Sequence, residues 1–140
     1  MTSVSGASGL GAPHLYDSTD SLLRFAMRAD ATVTGLCGLA VAFAADPLSS
    51  LTGLPSGVEY GLGAAFVLYG LVVFSLAAVP RPRRAGASVV VANVACTLAA
   101  VLAADLVPMT GLGVAAMLGS AVYTTAFAAL QYLGVRRLAA

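Results

Sequence analysis

Four apolar runs divide the chain: about Leu22 to Ala45, Val58 to Val79, Ala87 to Val107 and Leu112 to Val135. Each holds about 20 residues, which at 1.5 Å per residue covers the roughly 30 Å of bilayer hydrocarbon. Pro80-Arg81-Pro82 closes the second run, Pro108 the third, and the Arg136-Arg137 pair the fourth. Barrel strands are excluded, because they alternate in polarity and are about half as long. The pattern predicts an all-α fold: a polytopic membrane protein built as a four-helix transmembrane bundle running up-down-up-down on short connections. Ahead of the first run, Asp17-Ser18-Thr19-Asp20 supplies helix N-cap candidates. Residues 1–20 are rich in Ser, Gly and Ala without periodicity, and no basic stretch leads into an apolar one. They are expected to be a flexible cytoplasmic tail rather than a signal peptide, with residues 21–140 as the transmembrane domain.

Composition supports the membrane reading. Of 140 residues, 59% are hydrophobic and only 9% charged, whereas a soluble domain of this length is about one quarter charged. The few charges are strongly ordered. All seven basic residues are arginine: Arg24, Arg28, Arg81, Arg83, Arg84, Arg136 and Arg137. With four crossings they fall on one side, while Asp46, Glu59 and Asp105 fall on the other. The positive-inside rule then predicts a multi-pass inner-membrane protein with both termini cytoplasmic. Two or three Arg at a membrane edge give no nucleic-acid patch. Cys37 and Cys96 lie inside apolar runs and are expected to be small core residues.

The first and third runs look related. Cys37-Gly-Leu-Ala-Val-Ala-Phe-Ala-Ala-Asp46 aligns without gaps to Cys96-Thr-Leu-Ala-Ala-Val-Leu-Ala-Ala-Asp105, with six of ten positions identical. The same register pairs Arg24 with Arg83. One deletion then aligns Thr52-Gly53-Leu54 with Thr110-Gly111-Leu112. Either a helical hairpin was duplicated, giving a pseudo-two-fold axis along the membrane normal, or Ala-rich composition converged.

Few polar residues interrupt the apolar runs, so each is a candidate. Asp30 lies 16 residues from Asp46, about 24 Å along a helix, which places it near the cytoplasmic boundary. The expectation is an interfacial carboxylate beside Arg24 and Arg28. The alternative is a carboxylate turned into the bundle as a proton or cation site. Asn93 is more deeply placed, and the internal register matches it to Thr34, so the two are expected to hydrogen-bond across the axis. Thr97 sits one turn above Asn93, and Gln131 approaches the same level from the fourth run. These polar groups read as helix glue or as the lining of a solute path. Gly35, Gly38, Gly61, Gly63, Gly70, Gly113, Ala116 and Gly119 are expected to let helices approach closely. Tyr60, Tyr69, Tyr123 and Tyr132 are expected to be packing residues or interface anchors.

Absent motifs narrow the chemistry. His14, the sole histidine, lies in the tail, which argues against a His-based metal or haem centre within one chain. No HExxH, Walker A or GxSxG pattern occurs. No catalytic, cofactor-binding or metal-ligating residue is assigned, and the chain is not expected to be an enzyme. Asp46, Glu59 and Asp105 could bind a cation if they met, but read more simply as loop charges.

The stretch from Arg24 to Pro55 carries a resemblance. Leu22-Leu23-Arg24, Arg28-Ala29-Asp30, Gly35, Gly38, Asp46-Pro47-Leu48 and Leu54-Pro55 resemble small four-helix bacterial integral membrane proteins, actinobacterial in type and of unknown function. The resemblance covers about residues 21–137 and implies no activity. Small multidrug-resistance exporters share the length and helix count. Their hallmark is an acidic residue deeper in the first helix together with Trp, which this chain lacks. The sequence therefore favours a structural or accessory component working through contacts with lipid or other membrane proteins. The second reading is a small proton-coupled transporter or channel subunit, assembled as a homodimer, with Asp30, Asn93 and Thr97 lining its path.

Overall fold

A computed structural model describes residues 19–139, so most of the expected tail lies outside the described residues. Five helices follow in order: α1 (Ser21–Phe43), α2 (Ala45–Thr52), α3 (Ser56–Leu76), α4 (Pro82–Leu106) and α5 (Gly111–Ala139). All but α2 are long and apolar enough to cross a membrane. Large apolar side chains point outward, as at Phe43, Leu106 and Val122. Such a surface suits lipid rather than water.

Local chemistry explains where the boundaries depart from the hydrophobic pattern. α4 begins at Pro82, five residues before the apolar run, because proline at the first helical position sacrifices no hydrogen bond. α5 runs past Arg136 and Arg137, whose charges favour the C-terminal end of the helix dipole. The Asp46-Pro47 segment is helical rather than a simple turn. Pro47 is tolerated within the first turn of α2, and Gly53 ends that helix in the left-handed region, with φ of 79°.

α1 packs along α3 and α4 along α5, forming two hairpins. α1 also lies against α5, whereas α3 and α5 do not meet. Backbone contact between α1 and α3 is possible only through glycine. A Cβ on Gly63 would sit 2.6 Å from Ala42 N and 2.7 Å from Gly38 O, and one on Gly70 would sit 2.6 Å from Ala31 O. Across the hairpins, Gly86 and Gly134 close over Leu23. Gly61 and Gly119, expected to serve the same purpose, face open space instead. Cys37 and Cys96 are exposed, not core.

Each end of the bundle is tied by a polar clasp. At the Arg-rich end, Arg24 Nη1 donates to Ala77 O (2.7 Å) and Val79 O (2.9 Å), satisfying the last turn of α3. Its Nε donates to Asp20 Oδ2 at 2.9 Å. At the opposite end, Thr110 N donates to Thr52 O at 2.8 Å, joining the start of α5 to the end of α2. The main apolar cluster lies in the Arg-rich half, where Leu23, Met27, Ala31, Val73, Ala77 and Val89 pack together.

Gly63→Ala should lower stability by about 1–3 kcal/mol, because backbone atoms on α1 have nowhere to move. Gly57→Ala, at a site open on all sides, should be neutral or slightly stabilising. Unfolding of both variants in mixed detergent micelles measures the difference.

A buried carboxylate as the candidate functional site

Asp30 is fully buried, with no solvent-exposed surface. This overturns the expected interfacial position. The arginines expected beside it are engaged elsewhere or exposed: Arg24 binds Asp20 and the end of α3, and Arg28 faces outward. Counting along one helix gave depth but not azimuth, and Asp30 lies on the inward face of α1 with Leu23, Met27 and Ala31.

Five side chains donate to the carboxylate. Oδ2 accepts from Tyr69 Oη on α3, Asn93 Nδ2 on α4 and Gln131 Nε2 on α5, each at 2.9 Å. Oδ1 accepts from Thr34 Oγ1, one turn along α1, and from Tyr123 Oη on α5, each at 3.1 Å. Tyr123 also lies within reach of the Asp30 main-chain oxygen, and the Thr34 and Tyr123 hydroxyls are 3.1 Å apart. All four long helices therefore converge on one side chain. Among the described residues, no buried side-chain nitrogen or oxygen lacks a partner.

The two amides hold each other in orientation. Asn93 Nδ2 donates to Gln131 Oε1 at 2.9 Å as well as to Asp30. Turning Gln131 over would set its NH2 against that of Asn93 and its oxygen against the carboxylate, both repulsive. The Oδ2 side is therefore mainly amide, whereas the Oδ1 side carries hydroxyls alone. That difference has chemical content. An NH2 group only donates, but a hydroxyl can rotate and accept. The site can thus serve an ionised carboxylate with five donors, or a protonated one whose Oδ1–H bonds to Thr34 or Tyr123.

Four of the sequence candidates, Asp30, Thr34, Asn93 and Gln131, are thus brought together. Thr34 and Asn93 do so by each binding Asp30 rather than by the expected bond to one another. Thr97 is left out of the network. Its hydroxyl donates to Asn93 O at 3.0 Å and meets Thr124 Oγ1 at 2.6 Å, one turn away. Tyr69 and Tyr123, expected to be packing residues or interface anchors, also donate to the carboxylate, and Tyr69 packs against the apolar cluster. Their alignment with Asp30 depends on how α3 and α5 pack on α1, which no single-helix pattern reveals. Asp46 and Asp105 are exposed and apart from the buried Glu59, which accepts from Thr52 Oγ1 at 2.6 Å. Among the described residues, no group of three acidic, Cys or His side chains is placed to hold a metal. No protein-family model, curated protein or solved structure matches the chain.

Asn93→Leu should cost about 1–3 kcal/mol, because it removes a donor from Oδ2 and strands Gln131 Oε1 in a dry interior. Asp30→Asn should be milder than Asp30→Leu, since its NH2 can take the Oδ1 side and donate to hydroxyls that turn to accept. Asp30→Leu removes the acceptor that five donors share and should be the most damaging. Unfolding midpoints of the three purified variants in detergent rank them.

Proposed function

We propose that the chain is a small proton-coupled membrane protein, a transporter or channel subunit, in which Asp30 takes up and releases the proton. One observation carries this reading: a fully buried carboxylate held by donors from all four long helices, with no basic side chain of the described residues paired to it. Holding helices together requires only amides and hydroxyls, which exact no charge-burial cost. Desolvating a carboxylate costs several kcal/mol, and ionisable groups enclosed among membrane-spanning helices mark ion or proton pathways. The alternative, an accessory component working through contacts with lipid or other membrane proteins, needs no ionisable group at the centre of the bundle.

The ligand set favours a proton over a metal ion. A Na⁺, Mg²⁺ or Ca²⁺ site needs several oxygens converging on one point. Around Oδ2 the neighbours present N–H groups, and their orientation is fixed by the Asn93–Gln131 bond. A proton needs only the hydroxyl rearrangement at Oδ1.

The arginine asymmetry sets the orientation within this reading: the four long helices cross the inner membrane, with the Arg-rich end in the cytoplasm. Ser50→Cys and Ala139→Cys, each introduced after replacing Cys37 and Cys96 by Ala, report the two ends. An impermeant thiol reagent added to intact spheroplasts should label Ser50→Cys and spare Ala139→Cys. The reverse pattern inverts the orientation.

Asp30 itself should give a carboxyl infrared band that changes with pH while the bundle stays folded, and that is missing in Asp30→Asn. Proteoliposomes containing the protein should dissipate an imposed proton gradient, or couple it to a solute, and Asp30→Asn should abolish that flux at least tenfold. A carboxylate that never protonates in the folded protein would return Asp30 to the status of helix glue.

A further inference from the structure

The molecule is unevenly filled on the two sides of Asp30. Towards the Arg-rich end, two apolar layers separate the carboxylate from solvent. Met27 lies one turn before Asp30 and Leu23 two turns before it on α1, and Val89 lies one turn before Asn93 on α4. All three are buried, and Val73 and Ala77 of α3 complete the plug. Leu23 is locked in place, because Gly86 and Gly134 approach so closely that a Cβ on either would sit 2.7–2.8 Å from Leu23 atoms. Leakage through that half would require two close helix contacts to open.

The other half is built differently. Beyond Asn93, α4 has no buried residue as far as its end at Leu106. Beyond Ala31, the sole buried residue of α1 is Gly38, and it faces α3. The one large apolar side chain buried in that half among the described residues is Leu54, in the connection between α2 and α3. The groups next to Asp30 on this side are the half-buried Thr34 and Tyr123. At the far end a second carboxylate, Glu59, sits against Thr52.

Building on the proton-coupled reading above, we propose that Asp30 exchanges its proton with the compartment at the α2 end of the bundle, through the Thr34 and Tyr123 hydroxyls. The Leu23–Met27–Val89 plug closes the Arg-rich end. The step balances along bonds already in place. Thr34 passes its hydroxyl proton to Asp30 Oδ1 and takes the Tyr123 hydroxyl proton across 3.1 Å. A hydronium ion of that compartment restores the proton on Tyr123. The net change is one proton gained by the carboxylate and one lost by the solvent, with neither hydroxyl left charged. Tyr123 can also donate directly to Oδ1 at 3.1 Å, so either hydroxyl alone sustains a slower transfer.

The test compares the two sides of the membrane. Full-length protein in liposomes, with orientation fixed by the reactivity of Ser50→Cys and Ala139→Cys, is given a pH jump in the external medium alone. Protonation of Asp30 is followed by its carboxyl infrared band. It is expected to follow a jump on the α2 side and to be at least tenfold slower after a jump on the Arg-rich side. In the background lacking native cysteines, Thr34→Cys should react with a charged thiol reagent from the α2 side, whereas Met27→Cys should react from neither. Tyr123→Phe combined with Thr34→Val should slow the protonation from the α2 side at least tenfold, and either single variant should slow it less. Equal or faster protonation from the Arg-rich side overturns the sidedness, as does an unslowed double variant. The equilibrium infrared titration is scored separately, so a titrating Asp30 reached from the wrong side defeats this inference and leaves the proton-coupled reading standing.

Discussion

A carboxylate without a counter-ion has to be satisfied wherever the fold encloses it, and Asp30 imposes that demand on the whole bundle. Five donors from four helices meet it. In an apolar medium the alternative is an unpaired charge, which is far more costly than any single helix contact. The relative rotation of each long helix is therefore tied to one side chain: α3 must present Tyr69, α4 Asn93, and α5 both Tyr123 and Gln131. A network with every member satisfied specifies one arrangement more sharply than apolar packing, which tolerates sliding.

Packing is arranged around that centre. Glycine-to-backbone contact draws α1 against α3, and two further glycines hold Leu23 at the Arg-rich end. The clasps of Arg24 and of Thr110 with Thr52 close the two ends. Within this frame the main apolar cluster fills the Arg-rich half. That imbalance gives the buried carboxylate a dry side and a side bordered by hydroxyls.

The internal sequence match gains meaning from the same site. The two hairpins pack alike, but Asp30 aligns with Val89, Tyr69 with Phe127, Gln131 with Val73 and Tyr123 with Ala65. Among the site residues, Thr34 and Asn93 alone are polar at both equivalent positions. A duplicated hairpin would then have acquired its chemistry asymmetrically, which fits α1 lying against α5 more extensively than α3 against α4. One acid at the centre leaves room for no symmetric partner, since a second carboxylate there would repel the first.

Much of this was legible in the residues themselves. The lengths of the apolar runs, the prolines between them and the arginine clusters defined four long helices and a polarised molecule, because spanning length and charge placement are properties of a chain read along its axis. The same reading picked out Asp30, Thr34, Asn93 and Gln131, since polar residues are conspicuous where so few occur. Position around the axis is a different matter. The pattern along the axis puts Asp30 at the interface and Cys37 and Cys96 in the core, and both readings fail on direction. It leaves Tyr69 and Tyr123 between packing and anchoring, and their bonds to Asp30 turn them inward. Which way a side chain points is set by helix rotation and by close approaches at Gly38, Gly63, Gly70, Gly86 and Gly134. These involve partners 21 to 111 residues away. The sequence by itself determined which residues lie at which depth; tertiary packing decided which of them face one another, because that depends on contacts between helices that no local pattern contains.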